Sequence, residues 1–203
     1  MSRSPDVGST FRSRRWLRWL APAGAMALTA TLVIPHAAQA TDQTPETRAA
    51  CYVDVPQVTV TPGFGSSPNM GTGQSGPGGT IRCIGTIRGA TVAADPGPLS
   101  VSFSYGTGPL SSLTRGDTCL AGSGDGTVSA TVPVLQGQPV ILTGPIHFGF
   151  LGPIASYYGH FGELLYAGIG EPLPDLSTNP TPNCLTAPIT KFSIRGQFGL
   201  KNL

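Results

Sequence analysis

Apolar and polar residues alternate along most of the chain beyond Cys51. Ile81, Cys83 and Ile87 are interleaved with Thr80, Arg82, Thr86 and Arg88, and Leu99, Val101, Phe103 and Tyr105 with Ser100, Ser102 and Ser104. Val128, Ala130, Val132 and Val134 alternate with Ser129 and Thr131, and Phe192, Ile194, Phe198 and Leu200 with Lys191, Ser193, Arg195, Gln197 and Lys201. A period of two is the pattern of strands with one buried and one wet face. Beyond the first 40 residues no segment sustains a 3.6-residue apolar period. Gly, Pro, Ser and Asn cluster at residues 62–79, 95–98, 106–117, 122–126, 136–139 and 171–183, which predicts turns and loops there. The longest cluster, 62–79, predicts a mobile loop. Pro172, Pro174, Pro180 and Pro182 exclude 171–183 from a central strand. The result is an all-β domain of seven or eight strands, which must either close its sheet or stack two sheets. Short connections in sequence order favour an antiparallel up-and-down barrel. A Greek-key β-sandwich is the alternative.

The first 40 residues break this pattern. Arg3, Arg12, Arg14, Arg15 and Arg18 precede an apolar run from Leu20 to Ile34, and Ala38-Gln39-Ala40 closes the segment. That order reads as a secretory signal peptide cleaved after Ala40. The apolar run is short of the roughly 20 residues a spanning helix needs. Ser13-Arg14-Arg15-Trp16-Leu17 resembles a twin-arginine export signal. Contact with a membrane is then expected only in transit, through the leader. Residues 41–50, polar and containing Pro45, read as a flexible tail, and 51–203 as a single β domain. Cleavage reverses the charge. Without five Arg and one Asp, the 12 basic and 10 acidic residues become seven and nine. No basic field remains for nucleic acid.

An exported chain meets an oxidising environment, and Cys51, Cys83, Cys119 and Cys184 form an even set that predicts two disulfides. Their spacings are too long for compact zinc-ligand pairs. Three connectivities are open. Cys83 and Cys119 stand near strand starts, and Cys51 and Cys184 flank the ordered region, which favours Cys83–Cys119 with Cys51–Cys184. The four-cysteine layout, with segments such as Gly79-Thr80-Ile81-Arg82-Cys83-Ile84-Gly85-Thr86-Ile87 and Gly116-Asp117-Thr118-Cys119-Leu120, resembles uncharacterised small secreted four-cysteine β-proteins of actinomycetes. The resemblance implies a secreted β-protein. It implies no activity and no functional residues.

Candidate chemistry centres on residues 145–163. With Pro153-Ile154 at the centre of a hairpin, paired residues have numbers adding to 307. His147 then faces His160, and Phe150 faces Tyr157. Ile146, Phe148, Phe150, Tyr157 and Phe161 share one face and both histidines the other, a separation that a one-residue slip would destroy. Pro153 conflicts with the positive φ that two-residue hairpin turns favour at their first central position. Opposed imidazoles of His147 and His160 could ligate zinc or copper, with Glu163 further along, although two ligands alone do not complete a site. Asp117 and Asp125 bracket the glycine-rich 121–126, which reads as a turn rather than a calcium loop because it offers too few oxygens.

No G-x-S-x-G elbow occurs, and oxidised cysteines make poor nucleophiles. The leading expectation is therefore a secreted, disulfide-stabilised binding or structural module acting on an extracellular ligand or protein. One alternative is an extracellular enzyme at a barrel mouth, drawing on Tyr157, Tyr158, His160 and Glu163 for acid–base chemistry. The other is an envelope-associated membrane β-protein, since alternating strands also line lipid-facing barrels.

Overall fold

The computed structural model describes residues 45–108, 116–175, 184 and 186–203. The segment read as a signal peptide, 1–40, lies outside these residues, as do 109–115 and 176–183. Among the described residues there are ten strands and no helix. The strands are β1 (Arg48–Phe64), β2 (Gly71–Ser75), β3 (Thr80–Ile87), β4 (Ala90–Thr91), β5 (Gly97–Tyr105), β6 (Ala121–Val132), β7 (Val140–Leu151), β8 (Ile154–Phe161), β9 (Leu164–Pro174) and β10 (Ile189–Asn202). All pairings are antiparallel, and β10 returns to pair with β1. β2 and β3 run end to end along β1 and share one stave, while β4 is a short addition to β3. The fold is therefore the closed up-and-down barrel of eight staves that the short connections favoured, not a sandwich.

Parity decides what fills it. Inward positions include Cys51, Val53 and Val55 on β1, Ile81, Cys83 and Ile87 on β3, and Leu99, Phe103 and Tyr105 on β5, all buried. One extra residue in β1 between Val55 and Val58 forms a bulge, after which Val58 and Val60 face inward. The outer face carries Ser100, Ser102, Ser104, Arg82, Glu171, Gln197 and the ion pair Arg195–Asp54 at 3.7 Å. Ile84, Ile141, Leu165, Ile169 and Leu173 are exposed on the same face, and the apolar interior is the reverse of the polar interior of a membrane barrel.

Several glycines predicted as loop residues stand in strands. Gly71 and Gly73 belong to β2, inside the segment expected to be a mobile loop, and Gly122, Gly124 and Gly126 belong to β6. Each faces inward, and four of the five are covered by an aromatic ring from a neighbouring strand. Tyr105 covers Gly71, Phe103 covers Gly73, Phe148 covers Gly124, and Phe150 covers Gly122, while Gly126 lies against Phe103 Cα and Cβ. The ring occupies the space a side chain would need, so glycine is a packing partner here rather than a turn former.

Other expectations are corrected in the same way. β9 runs to Pro174, because β8 pairs with it only as far as Gly170 and leaves its last residues with β10 alone as neighbour. The sheet begins at Arg48, inside the segment read as a tail. Thr47 is also tied down, its N–H donating to Asn202 Oδ1 at 3.0 Å and its Oγ1 accepting from Arg88 N at 2.8 Å. The disulfides are Cys51–Cys83 and Cys119–Cys184, not the favoured pairing. Cys51 and Cys83 lie directly opposite each other on β1 and β3, both facing inward, with Cα atoms 4.0 Å apart.

Candidate functional site

The two halves of the barrel differ. Towards the end carrying the turns at 88–89 and 162–163, the interior is packed solid. Phe161 stacks on Tyr166 with centroids 4.5 Å apart, among Leu142, Leu164, Val132 and Leu200. Val92 bridges to Val134, and Ala93 N donates to Pro133 O at 2.9 Å, which caps that end. Arg88 and Gly89 both have positive φ, as a tight hairpin loop of the primed type requires.

Towards the other end the inward side chains fill the interior only in part. A cavity of about 340 Å³ lies between them, lined by Val53, Val101, Phe103, Val128, Ile146, Phe148, Phe150, Ala155, Tyr157, Ile194 and Phe198 among others. The cause is the aromatic–glycine pairing. Ring atoms of Tyr105, Phe103, Phe148 and Phe150 occupy the side-chain space of glycines on neighbouring strands, so these wall positions add no side chain to the lumen. Phe148 meets Phe103 edge to face at 5.0 Å, and Phe64 at the end of β1 gathers Tyr105, Phe150 and Phe192. Among the described residues, none that lines the cavity carries a formal charge.

The mouth is braced by polar contacts. Asn69 and Asp117 exchange backbone hydrogen bonds of 2.9 and 2.8 Å, and the fully buried Asp117 carboxylate accepts from Ser123 N at 3.0 Å. Tyr105 donates its hydroxyl to Pro62 O, and burial and the neighbouring Asp117 charge raise its pKa. The Cys119–Cys184 disulfide, which also lines the cavity, joins the β5–β6 and β9–β10 connections across the mouth. Leu120, Leu151 and Ile154 are exposed beside it, with Gly152 N donating to Leu120 O at 2.7 Å.

The histidines are elsewhere. β7 and β8 pair two residues out of the expected register, so His147 lies opposite Tyr158 rather than His160. Gly152 and Pro153 form the turn, and Gly152 takes the positive φ of 58° that proline cannot. A shift of two preserves parity. Phe148, Phe150, Tyr157 and Phe161 face the interior as predicted, and His147 and His160 face outward. His147 Nδ1 lies 2.5 Å from Asp125 Oδ1, and its ring stacks on Tyr158 with centroids 5.1 Å apart. His160 is opposite Leu165. Among the described residues no three His, Cys, Asp or Glu side chains gather as a metal site would need. Asp117 and Asp125 are on opposite faces of the wall, the first inside and the second outside. The acid–base pool is not assembled either. Tyr157 and Tyr158 point to opposite faces, and Glu163 sits in the turn at the packed end.

What sequence reasoning missed is the cavity that the inward-facing Tyr157 helps to line. Glycines at alternate positions 122, 124 and 126, facing Phe148 and Phe150 across a strand pair, carried that signal. Comparison with protein-family models, curated proteins and solved structures gives no match.

Proposed function

We propose that this barrel is a binding module that holds one small apolar molecule in its lumen. The observation that carries the reading is the uncharged cavity of about 340 Å³ beneath the mouth. Ligand pockets typically span ~300–1,000 Å³ and are mostly apolar, and small closed barrels are suited to one ligand. The packed opposite end supports a single route in and out. The exposed Leu120, Leu151 and Ile154 support passage of an apolar ligand across the rim. The leader and two disulfides support action outside the cell, where such a carrier or receptor meets molecules of low solubility. This extends the resemblance to secreted actinomycete β-proteins.

The test is titration of the mature protein with N-phenyl-1-naphthylamine, a neutral dye that brightens in apolar surroundings. At about 0.4–0.5 kcal/mol per non-hydrogen atom, a dye of this size binds in the micromolar range. One dye per chain is expected. Ala155→Trp places an indole in the lumen and should abolish binding while leaving the barrel folded. Unsaturable binding, or full binding by the Trp variant, would refute the reading.

A further inference from the structure

We infer that the mouth of the barrel docks on the surface of a neutral lipid bilayer, so that the molecule held in the lumen passes between bilayer and protein without crossing water. The inference rests on the lumen being a binding site, and it adds a membrane contact to the one expected of the leader. Its basis is a cluster of aliphatic side chains at the rim. Leu120 is 61% exposed, Leu151 73% and Ile154 61%. They form one patch. Leu151 is paired with Ile154 across the β7–β8 hairpin, and Gly152 N donates to Leu120 O at 2.7 Å. The Gly152-Pro153 turn between Leu151 and Ile154 lines the cavity, so the patch borders the opening itself.

Exposed aliphatic residues scattered over a surface are ordinary. Ile84 and Ile169 are of that kind, since they share their stretch of outer wall with Arg82 and Gln197. The mouth differs in charge. Its described connections on this side, 65–70, 116–120 and 152–153, hold one charged residue, Asp117, whose carboxylate is buried and accepts from Ser123 N. The hairpin from Phe148 to Gly159 holds none. The opposite end carries Glu46, Arg48, Arg88, Glu163 and Lys201. A charge taken into the headgroup boundary loses hydration at a cost, and this rim brings none, while the charged end is left in water. Aliphatic side chains without basic companions fit a neutral bilayer, because attraction to anionic lipid needs Lys or Arg beside them. Three side chains at a hairpin tip also fall short of the roughly 800 Å² per partner of a stable protein interface. A bilayer requires no such complementary area.

The experiment floats residues 41–203, which exclude the apolar run 20–34, with phosphatidylcholine vesicles. The three side chains carry slightly fewer carbons than one myristoyl chain, which is half bound at ~0.1 mM lipid, so half-binding is expected at ~1 mM lipid. Leu151→Ser/Ile154→Ser should weaken flotation at least about tenfold. Ile84→Ser/Ile169→Ser, on the outer wall, should leave it within about twofold. Both variants should melt at the wild-type temperature. The dye is then loaded into vesicles carrying a lipid-anchored quencher. Its transfer to the wild type should quicken with protein concentration, as exchange by contact requires, and lose that dependence in Leu151→Ser/Ile154→Ser. Absence of flotation, or equal loss in both double variants, with the dye still bound in solution, would overturn the inference and leave the lumen a site. Transfer independent of protein concentration in the wild type would overturn passage by contact. Self-association without lipid that Leu151→Ser/Ile154→Ser abolishes would assign the patch to a second copy and overturn the lipid surface. If the dye fails to bind in solution, the lumen reading falls, and this inference with it.

Discussion

Adjacent residues on β7 provide a sharp test of the barrel and its uneven filling. Leu142 is 1% exposed in the packed half, while Ile141 is 66% exposed on the outer wall. Leu142→Ala removes three buried carbons, worth about 0.8 kcal/mol each, or ~2.4 kcal/mol together. If the void of about 80 Å³ does not collapse, ~24 cal/mol per Å³ adds up to ~1.9 kcal/mol. The expected loss is therefore ~2.5–4 kcal/mol. Ile141→Ala should stay within about 0.5 kcal/mol. Ile146→Ala, further along the strand on the cavity wall, should cost ~1–2 kcal/mol, because one side of Ile146 already lacks neighbours. The assay is urea unfolding of residues 41–203 with disulfides intact, followed by circular dichroism, since both tryptophans fall outside this range, at positions 16 and 19. Midpoints should shift at constant m. A larger loss at Ile141 than at Leu142 would refute the strand's facing. Equal losses at Ile146 and Leu142 would refute the hollow half.

Peptide mapping under non-reducing conditions should link Cys51 to Cys83 and Cys119 to Cys184, with no free thiol. Cys119→Ala/Cys184→Ala, which frees a loop of sequence separation 65, should cost ~4 kcal/mol on the chain-entropy model and speed dye dissociation at the mouth. Burial raises the pKa values of Tyr105, Tyr157 and Tyr166 above 10.0. Above pH ~10 the unfolded chain loses protons that the folded one retains, so their contribution is complete below pH 10 and is lost as pH rises beyond it. Spectrophotometric titration should show these three tyrosines ionising only as the barrel unfolds; ionisation in the intact barrel near pH 10 would contradict this. Gly124→Val should be strongly destabilising, because its side chain would meet Ser104 O and the Phe148 ring; a stable variant with wild-type dye binding would contradict the ring-over-glycine packing.

The strands were legible because many inward positions on β3, β5, β6 and β10 carry branched or aromatic residues at period two, and the barrel because the connections between them are short. Parity on β7 and β8 was legible for the same reason, and it survived an error of two in register, since only an odd slip exchanges the faces. The turn was misplaced because Pro153 was centred with Ile154, whereas Gly152 is the residue that can take positive φ. Glycine composition misled at Gly71, Gly73 and 122–126. A glycine covered by a ring from the next strand looks, in sequence, like a glycine in a loop. The disulfides were misassigned because nearness to strand starts was weighed, while the facing of Cys51 and Cys83 across β1 and β3 depends on where the 65–70 connection folds back. The lumen was not legible at all. Alternation says which side chains point inward, but not whether they reach one another.

The most direct test of the central claim is the set of intermolecular nuclear Overhauser effects between bound N-phenyl-1-naphthylamine and methyl groups of residues 41–203. The account predicts contacts to Val101, Val128, Ile146 and Ile194, which line the lumen, and none to Ile84 or Ile169, which are exposed outside. Contacts confined to Ile84 and Ile169 would place the ligand on the outer wall and contradict it.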